Sequence, residues 1–150
     1  MEPLTNRTLE TLESLVKQHI NRSETYERAA DDTDVASLRV LFTDRAAQST
    51  RHADVLSTEL TRYGGTAPER ASFAGILQQS WMEFKAGLSG DSPKVLLESC
   101  QQADEAVQTV YREALADEAV SWPAEIRSLL VGQLAELGES HTQLQQLVAS

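Results

Sequence analysis

The fold is decided by the stretch GGTAPERASFAGILQQSWMEFKAGLSGDS, residues 64–92. It opens with a glycine pair of the kind that ends helices, and Ser-Gly-Asp-Ser-Pro at 89–93 closes it before the next helix. Between these breaks, apolar side chains recur at helical spacing: Phe73, Ile76, Leu77, Trp81, Phe84 and Leu88. The pattern predicts a long connection that carries a short amphipathic helix of about four turns.

The sequence on either side of this connection has the periodicity of long helices. In the first segment, for example, Leu9, Leu12, Val16 and His19 alternate in steps of three and four. The predicted helices run from about Asn6 to Asp31, from Val35 to Tyr63, from Pro93 to Ala116, and from Ser121-Trp122-Pro123 to the chain end. No stretch combines strict alternation with β-branched residues, so the fold class is all-α.

The lengths of the connections predict how these helices are joined. The first and last links contain only a few residues, so each must join an antiparallel pair. A helix of this length is roughly 40 Å long, and residues 64–92 are enough to carry the chain along it and set the third helix parallel to the second. One long crossover is the connectivity of the ferritin-like class. We therefore predict a single domain over residues 1–150, a ferritin-like four-helix bundle whose crossover carries an extra short helix.

Composition and charge exclude several classes of function. The chain has 150 residues and a formal charge of −10, a field that repels phosphate backbones and anionic lipid. We expect no nucleic-acid partner and, since the apolar runs are short, no membrane association. The lone Cys100 excludes an intrachain disulfide, and the first residues lack the features of a signal peptide. Both observations predict a cytoplasmic protein.

The crossover also carries a resemblance. Gly64-Gly65, the run 72–77, Trp81 and Lys85 resemble a family of small bacterial four-helix-bundle proteins of the ferritin-like group, known as a domain of unknown function. Further matches are Tyr26 with Ala29-Ala30, Tyr111 with Ala114-Leu115, Gln133 and His141. The resemblance covers nearly the whole chain and implies the fold and a bacterial, cytoplasmic setting. It implies no activity.

A carboxylate-bridged pair of metal ions would need Glu from two helices and Glu-x-x-His from the other two. The chain has three histidines, and the residues three positions before them are Val16, Ser49 and Gly138. No Glu-x-x-His is present, and few acids fall on the inward faces of the predicted helices. We therefore expect no metal centre and no other cofactor.

Several polar residues nevertheless fall on the inward faces: His19, Ser23, Arg45, Ser49, Gln133 and His141. The favoured interpretation is a hydrogen-bonded buried layer that fixes the helix register. The alternative is a small-ligand pocket or single-metal site built from His19, His52, His141 and Glu27. If a metal site exists, its candidate ligands are Glu27, His52 and His141.

Two expectations concern charged residues. Arg45 is expected to pair with an acid of the first helix, Glu27 being the nearest. The third helix presents acids that are expected to form a solvated face: Glu98, Asp104, Glu105 and Glu113.

These observations favour a non-catalytic protein that acts through contacts with itself, as a homodimer, or with a protein partner. Val40 and Val55, which lie off the apolar stripe of the second helix, are candidates for a second packing face. The alternative is a metal-binding iron or manganese oxidase, or an iron-handling protein, with an irregular ligand set. A third interpretation is a small-molecule binder that uses the space beside the alanine-rich third helix.

Overall fold

The computed structural model describes residues 3–72, 78–83 and 92–149, and this part of the chain is helical with no strand. Four long helices account for most of it: α1 (Asn6–Asp32), α2 (Ala36–Arg62), α3 (Pro93–Ala116) and α4 (Ala124–Val148). These bounds agree with the predicted ones to within a few residues, and the all-α fold class is confirmed.

The helix ends follow from local chemistry. The Thr5 side chain accepts a hydrogen bond from the Thr8 N–H at the start of α1, and Ser92 accepts one from Val95 ahead of Pro93. After α2, Gly64 adopts a φ of +87°, a left-handed conformation that costs glycine little. The N–H of Gly65 then donates to the Leu60 carbonyl oxygen at 2.9 Å. The glycine pair therefore ends α2, as its sequence indicates.

Cross-helix contacts define the helix directions. Arg7 near the start of α1 pairs with Asp117 just after α3, and Arg22 further along α1 pairs with Asp104 further back, so α1 and α3 are antiparallel. In the same way, Gln48 of α2 lies beside Ser140 of α4, and the later His52 lies beside the earlier Glu136, so α2 and α4 are antiparallel. Since the short links make α1–α2 and α3–α4 antiparallel too, α2 and α3 run in the same direction, as predicted from the long crossover.

Two apolar clusters fill the interior at different levels. One contains Leu12, Leu15, Leu56, Tyr111, Trp122 and Leu130, among others, and the second contains Tyr26, Phe42, Trp81, Leu96, Cys100 and Leu144. Each fully buried large apolar side chain contributes roughly 1.5–3 kcal/mol to folding. Polar side chains occupy the level between the two clusters, and they form the site described below.

The described part of the crossover is anchored to both neighbouring helices. Arg70, in a short 3-10 helix (Arg70–Ser72), donates to Glu24 of α1 at 2.8 Å and to Thr50 of α2 at 3.1 Å. Residues 78–83 are helical, and Trp81 is buried with its Nε1 donating to Asp32 at 2.8 Å. The other apolar positions of the predicted crossover helix lie outside the described residues: Phe73, Ile76, Leu77, Phe84 and Leu88.

No helix within the described ranges is both long and apolar enough to cross a membrane.

Candidate functional site

A buried ion pair lies at the centre of the polar level. The Nε of Arg22 on α1 is 2.8 Å from Oδ1 of Asp104 on α3, and the two side chains are only 1% and 2% exposed. Oδ1 also accepts a hydrogen bond from the Tyr26 hydroxyl at 2.9 Å, and Oδ2 lies 3.2 Å from Nδ1 of His141 on α4. Three side chains from two helices therefore compensate the desolvation of one carboxylate.

A chain of hydrogen bonds leads from Arg22 across the interior. Its Nη1 donates to the Ser49 hydroxyl oxygen at 2.8 Å, and Ser49 lies 3.0 Å from Nδ1 of His19. The Nε2 of His19 is 2.6 Å from the Tyr111 hydroxyl, which donates to the Gln133 carbonyl oxygen at 2.7 Å. We call the connected set the Arg22–Asp104 network. Its members are His19, Arg22, Tyr26, Ser49, Asp104, Tyr111, Gln133 and His141.

The directions of these bonds fix the protonation of His19. Because Tyr111 uses its only proton towards Gln133, it must accept from Nε2–H of His19. The other nitrogen, Nδ1, is then the acceptor for the Ser49 hydroxyl, which itself accepts from Arg22. Burial lowers the pKa of His19 well below its usual value, and the neighbouring His52 and Arg22 lower it further. His19 is therefore a neutral imidazole with its proton on Nε2.

A second polar group bridges α2 and α4. Gln48 donates through Nε2 to both Glu136 and Ser140, at 3.0 and 2.9 Å. The Nε2 of His52 lies 3.5 Å from Glu136, and its ring is tilted against that of His19 with centroids 5.2 Å apart. Burial is the main cause that lowers the pKa of His52, while Glu136 acts in the opposite direction. His52 therefore sits at the edge of the network and makes no hydrogen bond to it.

Most, but not all, of the polar residues predicted to face inward belong to the hydrogen-bond network. His19, Ser49, Gln133 and His141 are buried and belong to the Arg22–Asp104 network. Ser23 is buried as well, but its hydroxyl donates to the Ile20 carbonyl oxygen of its own helix.

Arg45 was expected in the buried polar layer and paired with Glu27, and both expectations are wrong. Arg45 is only partly buried and pairs with Asp44 and Gln143 at the α2–α4 surface. Glu27 is half-exposed, and its carboxylate lies 3.8 Å from Arg70. The two residues fail to meet because both turn towards partners nearer the protein surface.

Sequence reasoning missed the two residues at the centre, Arg22 and Asp104. Asp104 was expected on the solvated face of α3, yet it is almost fully buried. On α3, Asp104 and Tyr111 are buried, whereas Ala106 is exposed. A signal was present, because Asp104 lies four positions after Cys100 and three before Val107, which is the spacing of a shared helix face.

These residues do not fit a metal centre. Among the described residues, no group of three His, Cys, Asp or Glu side chains could hold a metal ion. The candidate ligands are dispersed, since Glu27 faces Arg70, His52 faces Glu136 and His141 faces Asp104. The one carboxylate at the centre is compensated by a guanidinium, and a second positive charge beside Arg22 would be repelled.

The buried hydroxyl and thiol groups are not activated for chemistry either. Burial and the Asp104 carboxylate raise the pKa of Tyr26 well above its usual value, and burial raises that of Tyr111. The Cys100 thiol is fully buried, and burial together with Asp104 raises its pKa. The two tyrosines therefore act as proton donors in fixed hydrogen bonds, and Cys100 acts as a small core residue.

Comparison with known families supports one part of the resemblance, a domain of unknown function. Residues 7–117 match the family described as a domain of unknown function, DUF2383. The chain belongs to this family. The DUF2383 match spans α1, α2, the crossover and α3, and thus includes Arg22, Ser49, Asp104 and Tyr111. No curated protein matches this DUF2383 chain.

Proposed function

We propose that this protein is a single ferritin-like four-helix-bundle domain that has lost, or never had, a di-metal centre and acts through protein contacts. The fold part of the proposal is supported by the helix directions. Neighbouring helices are antiparallel, α2 and α3 are parallel, and one long crossover joins them.

The observation that carries the proposal is the Arg22–Asp104 ion pair. A ferritin-like di-metal centre requires inward carboxylates from all four helices. In this chain the interior level between the apolar clusters holds one carboxylate paired with a guanidinium, two imidazoles, and amide and hydroxyl groups, joined in hydrogen bonds. Such a set stabilises a unique helix register and offers no ligand cage or reactive group. The protein therefore works without catalysis, through its surface.

The outer face of α2 is the part of the surface that supports self-association. Val40 is 72% exposed, and it lies nine positions before the buried Ser49, which places it opposite the core at about 100° per residue. Val55, also exposed, lies on the same outer half of the helix. These two valines are the apolar contacts that a second copy packed on this face of α2 would cover.

Metal analysis tests the first half of the proposal. The protein is purified without chelator from cells grown with iron, manganese and zinc, and its metal content is measured beside that of Glu27→Ala and His141→Ala variants. We expect far less than one metal ion per chain in all three. Near-stoichiometric metal that is lost in either variant would instead establish the metal-binding oxidase or iron-handling alternative.

Light scattering over a range of protein concentrations tests the second half. We expect a mass that rises to that of a dimer, and we expect the Val40→Lys, Val55→Lys double variant to remain a monomer. Val131→Lys on α4, where the valine is also exposed, is the matched control and should dimerise like the parent protein. A parent protein that stays strictly monomeric at high concentration would contradict self-association and leave a different protein as the partner.

A bacterial, cytoplasmic setting belongs to the same proposal. Its support is the unpaired, buried Cys100 and the family resemblance. The charge of −10 argues against nucleic acid or an anionic membrane surface as the partner.

A further inference from the structure

A cavity of about 280 Å³ lies between α1 and α3, beneath the helical residues 78–83. It is separate from the Arg22–Asp104 network, and its volume is close to the lower end of the range for small-molecule sites. We propose that this cavity binds a small planar molecule that carries one carboxylate group. The inference goes beyond the proposed function and does not depend on it.

The apolar part of the cavity wall suits a flat ring. Trp81 lines the cavity, and its indole is fixed because Nε1 donates to Asp32 at 2.8 Å. Ala103 and Ala106 contribute only methyl groups from α3, so the wall opposite α1 is shallow. A large rigid aromatic side chain beside small ones forms a slot in which a planar ring gains contact area with little loss of conformational entropy.

The described part of the cavity wall carries one cationic group, the guanidinium of Arg28. Glu24 and Arg28 are the two charged residues among those that line it in the described structure. The Glu24 carboxylate is shared, since it accepts from Arg70 at 2.8 Å and lies 3.6 Å from Arg28. Arg70 also lies 3.8 Å from Glu27, so it is shared by two carboxylates. Arg28 is the guanidinium that lines the cavity and can pair with a ligand carboxylate there.

Arg28 also offers a specific donor. Its Nη1 bonds Gln78 and its Nη2 faces Glu24, whereas its Nε is buried and has no hydrogen-bond partner among the described residues. An unpaired buried N–H destabilises the protein, and a carboxylate oxygen is the acceptor that compensates it best. The side-chain amides of Asn21 and Gln102 line the same cavity and can donate to the remaining ligand oxygen.

Benzoate is the probe that tests this site, and benzamide is its uncharged counterpart of equal shape. The readout is the pair of indole N–H resonances in an NMR titration, because Trp122 lies in the other apolar cluster, donates to Ala114 and provides an internal reference. We expect benzoate to shift the Trp81 resonance and leave that of Trp122 in place. A dissociation constant on the order of 1 mM or lower is expected for a ligand of this size.

Three variants make the test specific to the cavity. Ala106→Leu fills the cavity from an exposed helix position and should abolish binding, whereas the matched control Ala135→Leu, on the exposed face of α4, should leave it unchanged. Arg28→Gln should weaken benzoate by at least about tenfold and leave benzamide little affected. Each variant is first checked for a native circular dichroism spectrum and melting temperature.

Three results would overturn the proposal. One is the absence of any Trp81 shift at about 10 mM benzoate. Another is an equal affinity of Ala106→Leu and Ala135→Leu for benzoate, which would place the binding elsewhere. The third is an equal affinity of the parent protein for benzamide and benzoate, which would remove the role of the carboxylate and of Arg28.

Discussion

Arg22 and Asp104, 82 positions apart in the sequence, meet in the interior with Nε and Oδ1 2.8 Å apart and almost no exposure to solvent. Removing one member of such a pair leaves an uncompensated buried charge, which typically costs 3–5 kcal/mol, whereas replacing both by apolar residues is often far less costly. The pair links α1 to α3 and thereby fixes the level at which these antiparallel helices pack.

The first prediction concerns this ion pair. We expect Arg22→Met and Asp104→Leu each to lower the free energy of unfolding by roughly 3–5 kcal/mol. The double variant should cost at least about 2 kcal/mol less than the sum of the two, because neither charge is then left without its partner. Urea denaturation of the four proteins gives the coupling energy. Additive effects would contradict a direct interaction between the two side chains.

The same pair shows what the sequence can and cannot reveal. Helix number, bounds and connectivity could be predicted, because they depend on periodicity, glycines and link lengths that each act locally. His19, Ser49, Gln133 and His141 could be selected as inward polar residues for the same reason. Arg22 could not, because a charged side chain at an inward spacing is ordinarily solvated by a small rotation of its helix. The burial of Arg22 becomes favourable only because Asp104 of α3 lies at the same level of the bundle. That pairing depends on how the helices pack.

The second prediction concerns pH. His19 is neutral in the folded state because its pKa is held well below 6.5, whereas the imidazole of the unfolded chain takes up a proton near pH 6.5. Below that pH the unfolded state binds more protons, so the free energy of unfolding decreases as the pH falls. His19 should contribute up to about 1.4 kcal/mol per pH unit, and His52, whose pKa is also lowered, acts in the same direction.

Urea denaturation at several values between pH 7.5 and 5.5 measures this slope, in a range where carboxylates with ordinary pKa values change little. His19→Gln should be less stable than the parent at every pH, but its stability should vary less with pH. A variant with the same slope as the parent would show that His19 is not held neutral in the folded protein.

The third prediction concerns the far end of the hydrogen-bond chain. Tyr111→Phe removes the hydroxyl that joins His19 to Gln133, so the His19 Nε2–H and the Gln133 carbonyl oxygen lose the hydrogen bonds that they make to it. The expected loss is roughly 1–3 kcal/mol of unfolding free energy. Tyr63→Phe is the control, since the Tyr63 hydroxyl makes no hydrogen bond within the described residues and should change stability by less than about 0.5 kcal/mol. Equal effects of the two substitutions would refute the role of the Tyr111 hydroxyl.

The fourth prediction compares two glycines, Gly64 and Gly132, that have equal room for an added methyl group. Apart from the adjoining backbone, a Cβ added at Gly64 or at Gly132 would meet no atom of the described residues within 4 Å, so contacts do not distinguish the two positions. Their backbones do: Gly132 lies in the middle of α4, whereas Gly64 has a φ of +87° after the end of α2. Alanine disfavours the left-handed region by about 1–2 kcal/mol, and in a helix it is better than glycine by roughly 0.5–1 kcal/mol.

Gly132→Ala should therefore stabilise the protein and Gly64→Ala should destabilise it, by about those amounts, in thermal or urea denaturation. The sign of each stability change is the informative result. Both substitutions add the same methyl group in equally open space, so opposite signs must come from the backbone conformation. A Gly132→Ala variant that loses stability would contradict an effect of the backbone alone, since the structure describes nothing that opposes the added methyl group.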